Sequence, residues 1–251
     1  FLLVSPVIYA HSFFNSKDIP MLSFTIICFY FGIRAFAKQN IGLYILTGLS
    51  LALLVNIRFL GLLVLGFIIV IWIVDALIAE QKQRPLIGIT LMLVVFSLSL
   101  FATWPLLWGN PWNNFLAMVQ DLSNKVLDIN IFYKGEVIHT TDLPWHYLPN
   151  MLIIKTPIFF IVLTFIGLLK ILGEFIFNFR VILQNKLQLV RYISALFFIA
   201  VILLVIIIKP ALYDGWRHFY FFYPSLLIAS IIGLNSLMRV SRNFPQGTNA
   251  V

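Results

Sequence analysis

Charged and imidazole side chains precede the last long apolar run of the sequence, in the stretch YDGWRH (Tyr213–His218). Asp214, Arg217 and His218 stand where a chain would enter a membrane, and charges there are costly unless they reach water or a partner. A guanidinium and an imidazole at this depth can bind phosphate, and a carboxylate can bind a sugar hydroxyl. The simpler alternative is that Asp214 pairs with Arg217 while the neighbouring aromatic residues only anchor the chain at the membrane surface.

Three other segments also place a charge beside an apolar run. They are NSKDIP with Lys17 and Asp18, NIRFLG with Arg58, and LIIKTP with Lys155. Taken alone, Asp18 fits a carboxylate at a helix N-terminus, and Arg58 and Lys155 fit cations that extend to the membrane surface. Taken together with the YDGWRH stretch, these residues predict one cavity that binds phosphate at headgroup depth.

The composition is that of a multi-pass membrane protein. Of the 251 residues, 61% are hydrophobic and only 10% are charged, whereas soluble domains carry about a quarter charged residues. The single cysteine, Cys28, excludes a disulfide framework within the chain. The 17 Lys and Arg against 9 Asp and Glu are scattered singly around apolar runs, which indicates membrane orientation rather than nucleic-acid binding.

Apolar windows of about 20 residues predict an all-α, multi-pass transmembrane helix bundle that forms a single domain over residues 1–251. The run 41–78 is too long for one crossing, so a hairpin with its turn at Asn56–Arg58 is expected. The apolar residues 1–10 fit the tail of an eighth helix, so we expect a fragment that lacks its first span and first outer loop. The seven predicted spans are 19–37, 41–56, 59–78, 86–108, 151–172, 191–209 and 218–238.

The distribution of basic residues predicts the orientation. Alternate connections divide the charges into ten Lys and Arg against three acids on one side, and seven against six on the other. By the positive-inside rule, the first side and the C-terminus are cytoplasmic, in a plasma or inner membrane. The phosphate-site residues and the long loop 109–150 then lie outside.

The outer loop 109–150 has a pattern of its own. Apolar residues at helical spacing predict an amphipathic interfacial helix over Trp112–Ile129. Lys134-Gly135 fits a turn between two short extended pieces, and Trp145 and Tyr147 fit interfacial anchors. Possible metal ligands in this loop match no tight template, so no cofactor is indicated, although a divalent metal stays open. These ligands are Glu136, His139, Asp142 and His146.

Four motifs, in this order, resemble the GT-C membrane glycosyltransferases, and more narrowly the branch of family 39, the protein mannosyltransferases and the aminoarabinose transferases. They are HSFFNSKDIPMLSF, PLLWGNPWNNF, LPWHYLPNMLIIKTPI and YDGWRHFYFFYPSLLIASIIGL. The resemblance covers nearly the whole chain. It implies transfer of a sugar from a polyprenyl-phosphate donor to a hydroxyl of a protein, lipid or glycan acceptor, on the outer or lumenal side of the lipid bilayer, without nucleic acid.

The resemblance also implies roles for single residues. The main general base of such enzymes lies in the first outer loop, so we expect the fragment alone to be inactive. Asp18 matches a second acidic catalytic position. Cations that bind the carrier phosphate match Lys17, Arg58, Lys155 and Arg217, and Asp214 and His218 join them around the phosphate and sugar.

Two other classes of protein stay open, a transporter and a non-catalytic membrane assembly subunit. A transporter more often places ionisable residues at the membrane midplane, on helices broken by Gly or Pro. The centres of the predicted spans are almost free of charge, which favours a site at the membrane surface.

Overall fold

The fold is a bundle of α-helices, described by a computed structural model over residues 2–78, 83–124 and 129–243. Within these ranges the α-helices are α1 (Pro6–His11), α2 (Asp18–Lys38), α3 (Ile41–Ile57), α4 (Gly61–Ile78), α5 (Gln83–Thr103), α6 (Pro111–Asn124), α7 (Tyr147–Lys155), α8 (Ile158–Phe177), α9 (Phe179–Gln184), α10 (Lys186–Ile208) and α11 (Tyr223–Asn243). Short 3-10 helices cover Leu2–Val4, Pro105–Leu107 and Arg217–Phe222, and two strands, β1 (Asn130–Tyr133) and β2 (Glu136–His139), pair antiparallel. The predicted all-α architecture is confirmed.

Five of the described helical segments are long and apolar enough to cross a membrane. They are α2, Leu86–Thr103 of α5, α8, α10 and the stretch Arg217–Ser241, in which the last 3-10 helix continues into α11. The helices α3 and α4 are also apolar but shorter. These seven segments overlap the seven predicted spans, and the protein is an integral membrane protein.

The predicted hairpin between the second and third spans is confirmed. Only Arg58, Phe59 and Leu60 connect α3 to α4. A Cβ atom on Gly61 would lie 2.9 Å from Leu54 Cγ and 3.0 Å from the backbone nitrogen of Val55. The absence of a side chain at Gly61 therefore lets α4 begin against the last turn of α3, and Arg58 is held at the tip of a tight turn.

The predicted single span over 151–172 is wrong, because the chain breaks at Thr156-Pro157 into α7 and α8. Thr156 is extended, with φ −100° and ψ 134°, as expected for a residue whose backbone is crowded by the following proline ring. Lys155, which the predicted span would include, is consequently the last residue of the short helix α7.

Proline also ends two other predicted segments early. Trp104, before Pro105, is extended, so α5 stops at Thr103 and the predicted span 86–108 is shorter. Ser5, before Pro6, is extended as well. The predicted helix tail over 1–10 is therefore a 3-10 turn followed by the short helix α1.

Small residues allow the closest helix packing, between α8 and α11. A Cβ atom on Gly167 would lie 2.0 Å from the carbonyl oxygen of Ala229, and one on Gly233 would lie 2.0 Å from that of Leu163. Beside this contact the buried hydroxyls of Thr164 and Ser230 are 2.8 Å apart. Small and hydroxyl residues are the usual means by which helices associate in lipid, where apolar burial drives little association.

The long loop contains the predicted amphipathic helix and turn. The helix, α6, is described over Pro111–Asn124; residues 125–128, which the predicted helix includes, lie outside the described ranges, and Ile129 is not helical. Lys134 and Gly135 have φ values of 52° and 92°, the positive values that a two-residue hairpin turn requires. The predicted turn between two extended pieces is thus confirmed.

Candidate functional site

A buried carboxylate forms the centre of the site. Asp18, the first residue of α2, is 2% exposed, and its Oδ1 atom lies 2.6 Å from Arg58 Nη2. Its Oδ2 atom accepts a hydrogen bond of 2.8 Å from Asn15 Nδ2. Because an unpaired buried charge is strongly destabilising, these two contacts are what allow a carboxylate at this depth.

Arg58 joins the tip of the α3–α4 hairpin to the start of the last helix. Its Nη1 atom lies 3.0 Å from His218 Nδ1, and the same imidazole nitrogen is 3.9 Å from Asp18 Oδ1. Three segments that are far apart in the sequence therefore meet at one end of the bundle.

Arg217 lies between two carboxylates. Its Nη1 atom is 2.5 Å from Asp214 Oδ2, and its Nε atom is 3.9 Å from Asp18 Oδ2. The guanidinium carbon stands 5.6 Å from the centre of the Tyr213 ring. The pairing of Asp214 with Arg217, considered above as the simpler alternative, exists, but it is one part of a larger group. We call Asp18, Arg58, Asp214, Arg217 and His218 the Asp18 cluster.

The turn that carries Asp214 has an unusual backbone and is fixed by α7. Asp214 and Gly215 have φ values of 59° and 73°. The N–H of Gly215 donates a hydrogen bond of 3.1 Å to Tyr147 Oη, and burial raises the pKa of that phenol, which keeps it neutral. A Cβ atom on Gly215 would lie 2.5 Å from Lys155 Nζ, so the Lys155 ammonium rests against this turn.

Buried aromatic residues support the same segment. Trp216 and Tyr223 are fully buried, and Tyr220 is 2% exposed. The Trp216 ring centre lies 4.7 Å from that of Tyr220 and 5.4 Å from that of Tyr223, whose hydroxyl bonds to Ser5 Oγ at 2.9 Å. The alternative that these residues only anchor the chain at the membrane surface is therefore wrong. Tyr147, predicted to be an anchor, is also buried.

Asn15 and His11 belong to the site and were missed. Asn15 Oδ1 accepts the N–H of Asp18 at 2.9 Å, and Asn15 Nδ2 lies 3.1 Å from His11 Nδ1. Burial lowers the pKa of His11; the negative charge of Asp214 opposes this effect and the positive charge of Arg217 adds to it. The spacing Asn15-x-x-Asp18 resembles a capping box, a signal by which the sequence could have revealed Asn15.

The predicted site residues thus come together with one exception. The Asp18 cluster accounts for five of them, and Lys155 lies against Gly215. Lys17 is exposed; its backbone N–H donates to Asn15 Oδ1 at 3.3 Å, and no ion pair of its side chain is found among the described residues.

Several buried nitrogens at the site have no hydrogen-bond partner within the described part of the chain. They are Arg58 Nε, Arg217 Nε, His218 Nε2 and Trp216 Nε1. Asp18 Oδ1 also lacks a hydrogen bond among these described residues, although it lies 2.6 Å from Arg58 Nη2. Buried polar groups are nearly always bonded, so several nitrogens without a hydrogen bond suit a ligand that presents many acceptor oxygens, such as a phosphate ester.

A metal centre is not found where the sequence offered ligands. Among residues 2–78, 83–124 and 129–243, no three His, Cys, Asp or Glu side chains lie close enough to hold a metal ion. Glu136, His139, Asp142 and His146 all lie within those ranges.

The sequence is similar to one known family over part of its length. The model of the family described as dolichyl-phosphate-mannose-protein mannosyltransferase matches residues 1–104, which is less than half of the 251-residue chain. This part contains Asp18 and Arg58 but not Arg217. No curated protein and no solved structure matches the chain. The similarity supports a membrane glycosyltransferase of the GT-C type, a class that uses lipid-linked sugar donors.

Proposed function

We propose that the protein transfers a sugar from a polyprenyl-phosphate donor to an acceptor hydroxyl at the outer surface of the membrane. The observation that carries this proposal is the position of Arg217. Its side chain is 31% exposed and lies beside the buried Asp18 and its partner Arg58, and its Nε atom has no hydrogen-bond partner among the described residues. A fixed, partly open cation at the end of an apolar bundle fits a phosphate group whose lipid tail lies along the helices.

The proposed chemistry needs positive charge at this point. The bond between the anomeric carbon of the sugar and the phosphate oxygen breaks, and a bond from the acceptor oxygen to that carbon forms. The acceptor proton passes to a carboxylate, which the resemblance places in the first outer loop. The leaving lipid phosphate gains negative charge, and preorganised cations such as Arg217 and Lys155 stabilise that charge in the transition state.

Asp18 has a supporting role in this proposal. The sequence predicts a second catalytic carboxylate here, but both oxygens face cations or an amide in the structure, and the residue is 2% exposed. We therefore infer that Asp18 acts as a positioning residue, which holds Arg58 and through it His218. An acid that accepted the substrate proton would need an oxygen open to the acceptor.

The place of the cluster also argues for a surface site rather than a transport path. Asp18, Arg58 and Arg217 lie at the ends of helices, where the chain leaves the apolar bundle. A transporter site would use broken helices near the middle of the bilayer.

The outer location is tested by cysteine labelling. In a Cys28→Ser background, Lys134→Cys and Lys186→Cys place thiols at exposed residues of the two predicted sides. An impermeant maleimide added to intact cells should label only Lys134→Cys. Labelling of Lys186→Cys alone would reverse the orientation and with it the proposed side of the reaction.

The phosphate role is tested by donor binding. Arg217→Ala should weaken binding of a polyprenyl-phosphate sugar by about ten- to a hundredfold, since a hydrogen bond to a charged group contributes about 1.5–3 kcal/mol. Arg217→Lys should restore only part of the affinity, because an ammonium does not reproduce a bidentate contact. Arg34→Ala is the control, since it removes a guanidinium at the other end of α2. Unchanged binding in a folded Arg217→Ala protein would refute the proposal.

A further inference from the structure

We propose that His218 is a neutral hydrogen-bond donor to the phosphate of the lipid-linked substrate, and that it donates through Nε2. The inference rests on the proposed function, because the ligand is the donor lipid of that reaction. It adds which atom of the imidazole binds the ligand, in which tautomer, and which residue fixes that tautomer.

The contact with Arg58 determines where the imidazole proton lies. Arg58 Nη1 is 3.0 Å from His218 Nδ1. A guanidinium nitrogen can only donate, so Nδ1 must be the acceptor and carries no proton. A neutral imidazole then carries its proton on Nε2. An imidazolium would place an N–H group against the N–H of Arg58, which is repulsive.

Nε2 is thus a buried donor with nothing to bind. It has no hydrogen-bond partner among the described residues, and the His218 side chain is only 12% exposed. Leaving such a group without a hydrogen bond is costly. Arg217 Nε, in the preceding residue, also lacks a hydrogen bond to any described residue, and both side chains approach the Asp18 carboxylate to 3.9 Å. Two donors on consecutive residues, both without a hydrogen bond in the described part of the chain, fit a ligand that bonds to both of them.

The character of the two donors selects a phosphate over a hydroxyl. Neither Arg217 Nε nor His218 Nε2–H can accept a hydrogen bond, and His218 Nδ1 is already used by Arg58. A sugar hydroxyl would find no acceptor on these two groups for its own proton, and the nearby acceptor Asp18 Oδ1 is already 2.6 Å from Arg58 Nη2. A phosphate monoester or diester presents only acceptor oxygens to them, and several of these lie close together.

The Tyr213 ring packs edge-on against the imidazole. The Tyr213 and His218 ring centres are 4.5 Å apart. Tyr213 lies in the irregular connection between α10 and the last 3-10 helix, and it is half-buried.

Two amide substitutions distinguish the nitrogens. His218→Gln places an amide near Nε2, and His218→Asn places one near Nδ1. The probe is farnesyl phosphate, a short polyprenyl monophosphate, titrated against the purified detergent-solubilised protein; farnesol serves as the control without phosphate. If Nε2 binds phosphate, His218→Gln should keep affinity within about threefold of the unaltered protein, while His218→Asn should lose about tenfold or more.

The opposite order would overturn the inference. Retained binding in His218→Asn with loss in His218→Gln would mean that His218 serves only to hold Arg58. Equal binding by both variants and the unaltered protein would remove His218 from the site, while the proposed function would stand as long as Arg217→Ala loses affinity. Absence of phosphate-dependent binding by the unaltered protein would overturn both.

Discussion

Asp214 Oδ2 lies 2.5 Å from Arg217 Nη1, although the Asp214 side chain is 54% exposed. The other carboxylate near Arg217, that of Asp18, is buried and committed to Arg58. Asp214 therefore approaches the guanidinium from its open side, in a backbone conformation with φ 59°. A phosphate that binds Arg217 has to compete with this carboxylate.

Asp214→Asn should accordingly tighten the binding of farnesyl phosphate by up to about fivefold, because an exposed ion pair contributes at most about 1 kcal/mol. If Asp214 also binds the sugar, the same variant should bind a sugar-bearing donor less tightly relative to farnesyl phosphate. Isothermal titration with both ligands measures the two effects. Weaker binding of farnesyl phosphate itself would show that Asp214 does not compete with the ligand.

Gly215→Ala should weaken donor binding, while its loss of stability should be similar to that of a control variant with the same backbone strain. The new methyl group would lie 2.5 Å from Lys155 Nζ, and the positive φ of 73° disfavours a side chain. Gly135→Ala is the matched control, because its φ is 92° with nothing within 4 Å of the added Cβ atom. Both variants carry about 1–2 kcal/mol of backbone strain, but only Gly215→Ala displaces Lys155. Equal donor affinity in the two variants would show that Lys155 does not contribute to donor binding.

Gly167→Ala should destabilise the bundle by about 1–3 kcal/mol or more, because its methyl group would overlap the backbone oxygen of Ala229, which cannot rotate away. Gly173→Ala, in the same helix α8, meets nothing within 4 Å and should be neutral or slightly stabilising. Thermal unfolding in detergent, monitored through the reactivity of the buried Cys28 thiol, compares the two variants. Similar midpoints would contradict the close α8–α11 contact.

His11 should make the protein less stable in mild acid. Burial holds the pKa of its folded form below the ordinary value of 6.5, while Asp214 and Asp18 oppose this and Arg217 and Lys155 reinforce it. Between 6.5 and that lower pKa, the unfolded chain binds a proton that the folded protein does not, so the free energy of unfolding falls as pH falls. Above about pH 7 both states are neutral, and the contribution is constant.

His11→Gln should flatten the dependence of unfolding on pH between about 7 and 5, since glutamine does not titrate there. Chemical unfolding at several pH values compares it with the unaltered protein, and His139→Gln serves as a control in the β1–β2 hairpin. Parallel curves for His11→Gln and the unaltered protein would exclude this origin of acid sensitivity.

The bundle was predictable from sequence because hydrophobic length and charge distribution report directly on membrane crossing. The errors arose at proline. Thr156-Pro157 lies within an apolar run, and hydropathy alone does not distinguish one long span from a short helix followed by a span. The local rule for residues before proline would have moved Lys155 to a helix end.

The site was predictable as a group of residues but not as a geometry. A charge beside an apolar run has the same pattern whether it meets lipid headgroups, water or another side chain. Only the structure distinguishes Asp18, which is buried between Arg58 and Asn15, from Asp214, which is open. Trp216 has the sequence pattern of a surface anchor, yet it is fully buried, because packing between distant segments decides burial.

The order in which the cluster residues occur along the chain has a consequence for biosynthesis. Asp18 and Arg58 are made early and can pair once the α3–α4 hairpin has formed, whereas Arg217 and His218 follow about 160 residues after Arg58. Since chains fold progressively from the N-terminus during synthesis, the nascent protein carries a self-neutralised Asp18–Arg58 pair while the later helices insert. Arg217 and His218 join the cluster only when the final helix docks, so a stalled or incomplete chain would lack two of the donors of the proposed phosphate site.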